Sequence, residues 1–454
     1  MPAPRPAVHA PAPVDPQGPV GSALALLEKR RAETCLFCAT ACCQFAGSLT
    51  MMALEQIFLE HHSGDFTAHA RMMSLIGSSS SALSFLFQPL IGSLIDVHGR
   101  RPLLLLAGGL QVLLKGLTVL VPASVRVPVI VLQFLLGFIS YDGFMFARDA
   151  ALGDLWSSEP KELGRVLVLF RISSSNSLFF RGGSNKIRQI DQALSRLQTI
   201  RPVTSIVSPL VGGYLTAVSV RLPYMLATML YGSAALIAIR MPETLPDKQR
   251  RKQIGSVFGA SPLSALKLFS RGPRLRAVAL LQLVTSVGDA TRDSAVPVHL
   301  LQVTGWNSVE RGRFQSVSSI ISLPGAALGG PLIARLGNLR FLQVGLASQL
   351  ANAMLLSQAS AGQHFYWAAP AALLTTGVSS ALSAMTMVAG TEAGLLQGEL
   401  QGALSSLQMV AHVLAPFGWT LIYDASVRAG VPGRLYMCMA SVHAMRLAMT
   451  ALIT

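Results

Sequence analysis

The stretch GSLIDVHGRRPLLL, residues Gly92 to Leu105, decides how the chain is read. It is a short polar hinge between two apolar runs, 72–95 and 102–121. Each run has the roughly 20 residues that an α-helix needs to cross the hydrocarbon core of a bilayer. Asp96 closes the first run, Gly99 permits a tight turn, and Arg100 and Arg101 open the second. Two membrane-length helices joined by a basic turn are a transmembrane hairpin, with the arginines on the cytoplasmic side.

On either side of this hairpin the same alternation fills the chain. The 454 residues are 51% hydrophobic and only 13% charged, with a mean hydropathy of +0.51. A soluble domain carries about 25% charged residues, so there is too little charge here to cover a water-facing surface. Spans are expected at 35–58, 72–95, 102–121, 127–149, a broken fifth, and 222–240. After a hydrophilic stretch, others follow at 275–301, 313–334, 341–358, 365–389, 400–423 and 433–453. This predicts an all-α polytopic membrane protein with twelve transmembrane helices. Its expected parts are a disordered cytoplasmic tail (1–34), a six-helix bundle (35–240), a cytoplasmic linker (241–274) and a second bundle (275–454).

The net charge of +15 fits topology and not nucleic acid. Lys29 to Arg31, Arg100 with Arg101, and Lys248 to Lys252 fall on one side if the spans alternate, which is the positive-inside pattern. The tail holds seven prolines in its first 20 residues and lacks the charged start and apolar centre of a signal peptide. Five cysteines are too few for a disulfide framework. Cys35, Cys38, Cys42 and Cys43 crowd the first span as small buried residues. Metal ligation has no second Cys or His pair to support it, and no cofactor is expected.

The fifth span is interrupted. Apolar residues at 166–170 and 203–218 flank a stretch with Arg181, Lys186, Arg188, Arg196 and Arg201 against one acid, Asp191. Charges at bilayer depth cost several kcal/mol each without water or a partner. Residues near 176–202 therefore form an anomalous insertion. It is either an amphipathic segment outside the core or a retained non-coding stretch in the gene model, and the second reading is favoured.

The Gly92–Leu105 stretch matches the loop signature of the major facilitator superfamily, G-x-L-x-D-x-x-G-R-R/K, at every key position. That resemblance implies two six-helix pseudo-repeats. It assigns Gly92, Asp96, Gly99, Arg100 and Arg101 to a latch that joins the halves in one state of the transport cycle, with Gly92 giving a neighbouring helix close approach. A faded copy, GGPLIARLGNLRFL, lies 238 residues later: Gly330 and Gly337 match Gly92 and Gly99, while Asp96 becomes Ala334 and Arg101 becomes Leu339. LSFLFQPLIGSLIDVHGRRPLLLL, SIVSPLVGGYL, MPETLPDKQR and QGELQGALSSLQMVAHVLAPFGWTLIYD resemble the hippocampus abundant transcript group. That group is itself similar to tetracycline/proton antiporters. The departures are specific. Gln133 stands where the antiporters have an arginine four residues before a glycine, here Gly137. The third span has Lys115 and no acid, and the ninth has no acid.

Ionisable residues inside spans are functional candidates by default, because the membrane makes them costly. Glu55, Asp142, Asp289, Asp293 and His412 qualify, with Gln88, Gln133 and Gln408 as neutral hydrogen-bonding neighbours. Each has a structural alternative, as an ion pair, a satisfied histidine or a helix tie. The expected function is secondary active or facilitative transport of a small-molecule solute by alternating access, with no enzymatic activity. Protons are an alternative driving ion. The competing functions are proton-coupled export of amphiphilic compounds and a non-transporting receptor or scaffold of the same fold.

Overall fold

The computed structural model describes residues 19–156, 203–245, 250, 267–291, 295–395, 397–431 and 433–453. The stretch 176–202 lies outside them, as do Asp293 and most of the linker. Among the described residues all regular structure is helical.

Helices follow the apolar runs. The first span, Arg30–His61, is two helices, Pro19–Leu49 and Met51–His61, meeting at Thr50. Its helix starts earlier than the tail expected over 1–34 allows. Residues 19–34 are helical, because Leu, Ala, Glu, Lys and Arg are good helix formers and Pro19 suits a first helical position. Phe66–His98 forms the second span, N-capped by Asp65, which accepts from the Thr67 and Ala68 amides at 2.8 and 3.1 Å. It bends by 48° between Gln88 and Leu90, where Pro89 has no amide hydrogen to bond the preceding turn. The third is Arg100–Leu120. The fourth is Ala123–Leu135 with Gly137–Leu152, bent by 52°. Val203–Val218 and Arg221–Arg240 complete the first half.

In the second half, Pro273–Asp289 is followed by Ala295–Thr304. Ser308–Ser357 begins at a capping box formed by Asn307 and Glu310 and is broken at Gly337 into the eighth and ninth spans. Gly362–Gly390, Gln397–Arg428 and Arg434–Met449 finish the bundle. Six of these helices are long and apolar enough to cross a membrane, or eight if each bent pair is one span. Leu120, Val218 and Leu421 are 81%, 78% and 67% exposed, which only a hydrocarbon surround makes favourable over so many large apolar side chains.

Each half has its own core. Leu36, Ala46, Leu104, Ala107, Ala147, Ala227 and Tyr231 centre the first, and Leu281, Phe341, Leu342, Ala381, Leu382 and Leu400 the second. Small residues bring helices together where lipid supplies no hydrophobic drive. A Cβ on Gly108 would sit 3.2 Å from the Ala235 Cβ, so the third and sixth spans touch almost backbone to backbone. A third cluster joins the halves, with Phe66 and Ala70 of the second span packed among Ala295, Val298, Trp419, Tyr423 and Leu435.

Candidate functional site

Three sets of polar residues stand out, at the two ends of the bundle and within its first half. The first is the Gly92–Leu105 loop. Gly99 takes φ 94° and ψ 175°, a conformation essentially confined to glycine. The turn sets Asp96 and Arg100 one helical turn apart, with Arg100 Nη1 donating to Asp96 Oδ1 at 2.9 Å. Arg100 also donates from Nε to Asp154 Oδ2 at 2.8 Å, at the end of the fourth span. Glu243, just past the sixth span, accepts from the backbone N–H groups of Arg100 and Arg101 at 2.9 and 3.1 Å. A carboxylate on the free amides of a helix N-terminus also meets the positive end of the helix dipole. Arg101 donates to the Ile239 carbonyl. The loop is thus fastened to the fourth and sixth spans of its own half. Close packing at Gly92 is not found: a Cβ there would meet nothing within 4 Å, since the turn is held by charge and not by helix contact.

The second set lies at the opposite ends of these helices and crosses between halves. Glu55 of the first span accepts from Arg311 of the eighth, and both side chains are buried. Arg71 bonds the buried carboxylate of Asp424 at 2.7 Å. Ser74 donates to the Pro416 carbonyl at 3.2 Å and shares a hydrogen bond with Thr420. Ser308 donates to the Gly213 carbonyl at 3.1 Å, and Ser316 to the Ile206 carbonyl at 2.5 Å. The fifth and eighth spans approach closely here, at glycines facing the backbone of the other span. A Cβ on Gly213 would collide with the Ser308 carbonyl, and one on Gly312 with the Pro209 carbonyl.

The third set is a cavity of about 420 Å³ walled by the first four spans and the sixth. Gln133 and Asp142 line it, with Gln111, Lys115, Phe134 and Tyr224. Ser84 donates to Asp142 at 2.5 Å. Gln133 donates to the Leu114 carbonyl at 2.9 Å and to Thr118, so it also ties the fourth span to the third. Lys115 Nζ reaches Thr50 Oγ1 at 3.4 Å and stands 5.1 Å over the Tyr224 ring.

The structure therefore separates residues that the sequence reading groups together. Gln133 and Asp142 share a cavity, whereas Glu55 sits in the inter-half contact. Gln88, beside the bend of the second span, and Asp289, at the end of its helix, are half-buried elsewhere, as are Gln408 and His412 on the eleventh span. Arg311, Asp424, Asp154 and Glu243 carry contacts that the sequence reading does not single out. Arg311 lies beside the capping residues of a helix start, where a charge reads as interfacial. Lys115 is legible as a cation within an apolar run.

Comparisons with known proteins agree with this architecture. The tetracycline resistance protein of class G from Vibrio anguillarum is 26% identical over 76% of this chain and 79% of its own. Human hippocampus abundant transcript-like protein 1 is 23% identical over 79% of this chain and 65% of its own. Among solved structures, the human organic anion transporter MFSD10 superposes with a TM-score of 0.64 at 17% identity, covering 93% of this chain and 99% of that one. The nucleoside transporter NupG gives 0.63 at 11% identity, covering 94% and 99%. The sequence matches the profile of the Major Facilitator Superfamily over residues 36–180 and 185–416, so this chain, a multi-pass membrane protein of two helical halves, belongs to that superfamily.

Proposed function

We propose that the chain carries a small organic solute across the membrane by alternating access around the cavity beside Lys115 and Asp142. The observation that carries this reading is the buried Glu55–Arg311 pair between halves, gathered with the Ser74, Arg71 and Ser308 contacts at one end of the bundle. A rocking carrier needs contacts of this kind, strong enough to seal one side and discrete enough to part. With the basic loops cytoplasmic, the sealed end faces away from the cytoplasm, and Asp96, Arg100 and Arg101 belong to the latch of the opposite state.

Removing one partner of a buried ion pair costs about 3–5 kcal/mol, because the other charge is left stranded. Arg311→Gln is therefore expected to shift the population away from the sealed state. A cysteine placed at the buried Ser308, with the native cysteines replaced, should then react with an impermeant reagent from outside. Unchanged protection in folded protein would remove the gate from this reading. Flux of labelled organic solutes in proteoliposomes, with and without a pH gradient, tests transport itself; its complete absence would favour a receptor or scaffold. The relatives named as tetracycline resistance proteins support proton-coupled export as the second reading. Protons would then move flux when the pH gradient is imposed.

A further inference from the structure

We infer that the cavity in the first half selects an organic anion, an aromatic monocarboxylate in the simplest case, and that Lys115 holds its charge. This takes the chain to be a carrier, and it names what the carrier takes.

The case begins with an unbalanced cation. Lys115 stands in the third span between Leu114 and Gly116, where a full charge needs a partner or water. Its ammonium turns inward and lines the cavity, touching Thr50 Oγ1 at a marginal 3.4 Å. An ammonium has three donors, and one long bond to a neutral hydroxyl leaves most of that capacity unused. Among the described residues no carboxylate oxygen lies within 4.0 Å of it.

The opposite charge in the same cavity is bonded to a neighbouring helix by a short hydrogen bond. Asp142 accepts a 2.5 Å hydrogen bond from Ser84, on the second span. Gln111 donates to Ser140 at 3.0 Å, and Gln133 donates to the third span. The amides and the carboxylate thus each make a short bond to a neighbouring helix. Among the described residues the Lys115 ammonium has only the long contact to Thr50 and the Tyr224 ring, and it is the less saturated charge in the cavity.

The remaining walls fix the rest of the solute. Phe134, Tyr224, Tyr231 and Ile130 face the space, and the Tyr224 ring lies directly beneath the ammonium at 5.1 Å. That cation–π contact holds Lys115 in place without neutralising it. A flat apolar body beside a carboxylate matches this arrangement: the ring covers the aromatic wall while the anion completes the ammonium shell. The 420 Å³ volume falls in the range of about 300–1,000 Å³ found for small-molecule sites.

The test uses the purified full-length protein and a matched panel: benzoate, salicylate and 1-naphthoate, their neutral carboxamides, and benzylamine. Binding is read as thermal stabilisation. Carboxylates should stabilise the wild type and the amides and amine should not. Lys115→Gln should weaken carboxylate binding about 10- to 100-fold, the range set by losing a charge-assisted hydrogen bond. Lys115→Arg, which keeps the charge, should retain most of it and shows that loss in the Gln variant is not misfolding. Asp142→Asn should keep the preference for carboxylate over amide. The inference is overturned if amides or the amine bind as well as carboxylates, if no carboxylate in the panel binds, or if Lys115→Gln binds them like the wild type. Lys115-dependent carboxylate binding without flux in vesicles would sink the carrier reading and leave this one standing. Flux of neutral solutes indifferent to Lys115→Gln would do the reverse.

Discussion

The loops at Gly99 and Gly337 are two copies of one turn, and they have kept its shape while parting in chemistry. Gly99 has φ 94° and ψ 175°, and Gly337 has φ 77° and ψ 163°, both in the region open essentially to glycine alone. Around Gly99, Asp96, Arg100, Asp154 and Glu243 form a continuous charge network. Around Gly337 the equivalents of Asp96 and Arg101 are Ala334 and Leu339, and a Cβ on Gly337 would meet nothing within 4 Å. Backbone geometry is therefore the shared requirement, because both turns must reverse a membrane hairpin. The acid–arginine network is an addition made on one side only, since the second copy keeps Arg335 and Arg340 but no acid.

The two turns should differ most when the glycines themselves are replaced. Alanine at either position costs about 1–3 kcal/mol for the backbone conformation. At Gly99 the added Cβ would also lie 2.6 Å from a Glu243 oxygen and displace a carboxylate that caps two amides. Losing such charged hydrogen bonds adds about 1.5–3 kcal/mol. Gly99→Ala should therefore destabilise the protein clearly more than Gly337→Ala, as read by thermal unfolding in detergent. Equal losses would mean that the charge network contributes nothing to the turn.

A smaller effect is expected at Glu243. Glu243→Gln keeps an acceptor for the Arg100 amide but removes the charge facing the helix dipole, worth about 0.3–1 kcal/mol at an accessible helix end. The loss should shrink with added salt, because screening weakens such interactions between accessible charges. A salt-independent loss would point to packing instead. Asp96→Asn should matter for movement more than for folding. It removes one charge from the contact proposed for the opposite state, so flux should fall while expression and thermal stability stay near wild type. Wild-type flux at equal density would remove Asp96 from the latch.

The smallest effect belongs to the second copy. Ala334 is exposed, and Ala334→Asp should change stability by no more than about 0.5 kcal/mol and leave flux unaltered, since Asn338, in the place of Arg100, offers it no cation. A large change in either direction would show that the Gly337 turn is a second working latch with different chemistry.

Whatever depends on local chemistry is legible in the sequence. Runs of apolar residues specify membrane helices because each helix satisfies its own backbone, and the spans from Arg100–Leu120 to Arg434–Met449 lie within a few residues of their apolar limits. The turns at Gly99 and Gly337 are visible for the same reason, since a glycine between two apolar runs has few other uses. Even the unusual cation at Lys115 can be read, because its cost is set by the residues beside it. Which polar groups meet is decided only in the folded bundle. Glu55 pairs with Arg311 across 256 residues of sequence and Arg71 with Asp424 across 353, while Lys115 and Asp142 share a cavity and Gln408 and His412 stand apart from it. A helix presents side chains in every direction, and its sequence does not record which neighbour will lie against each face. Partners are chosen when the helices pack, so their identity resides in the packing and not in any one span.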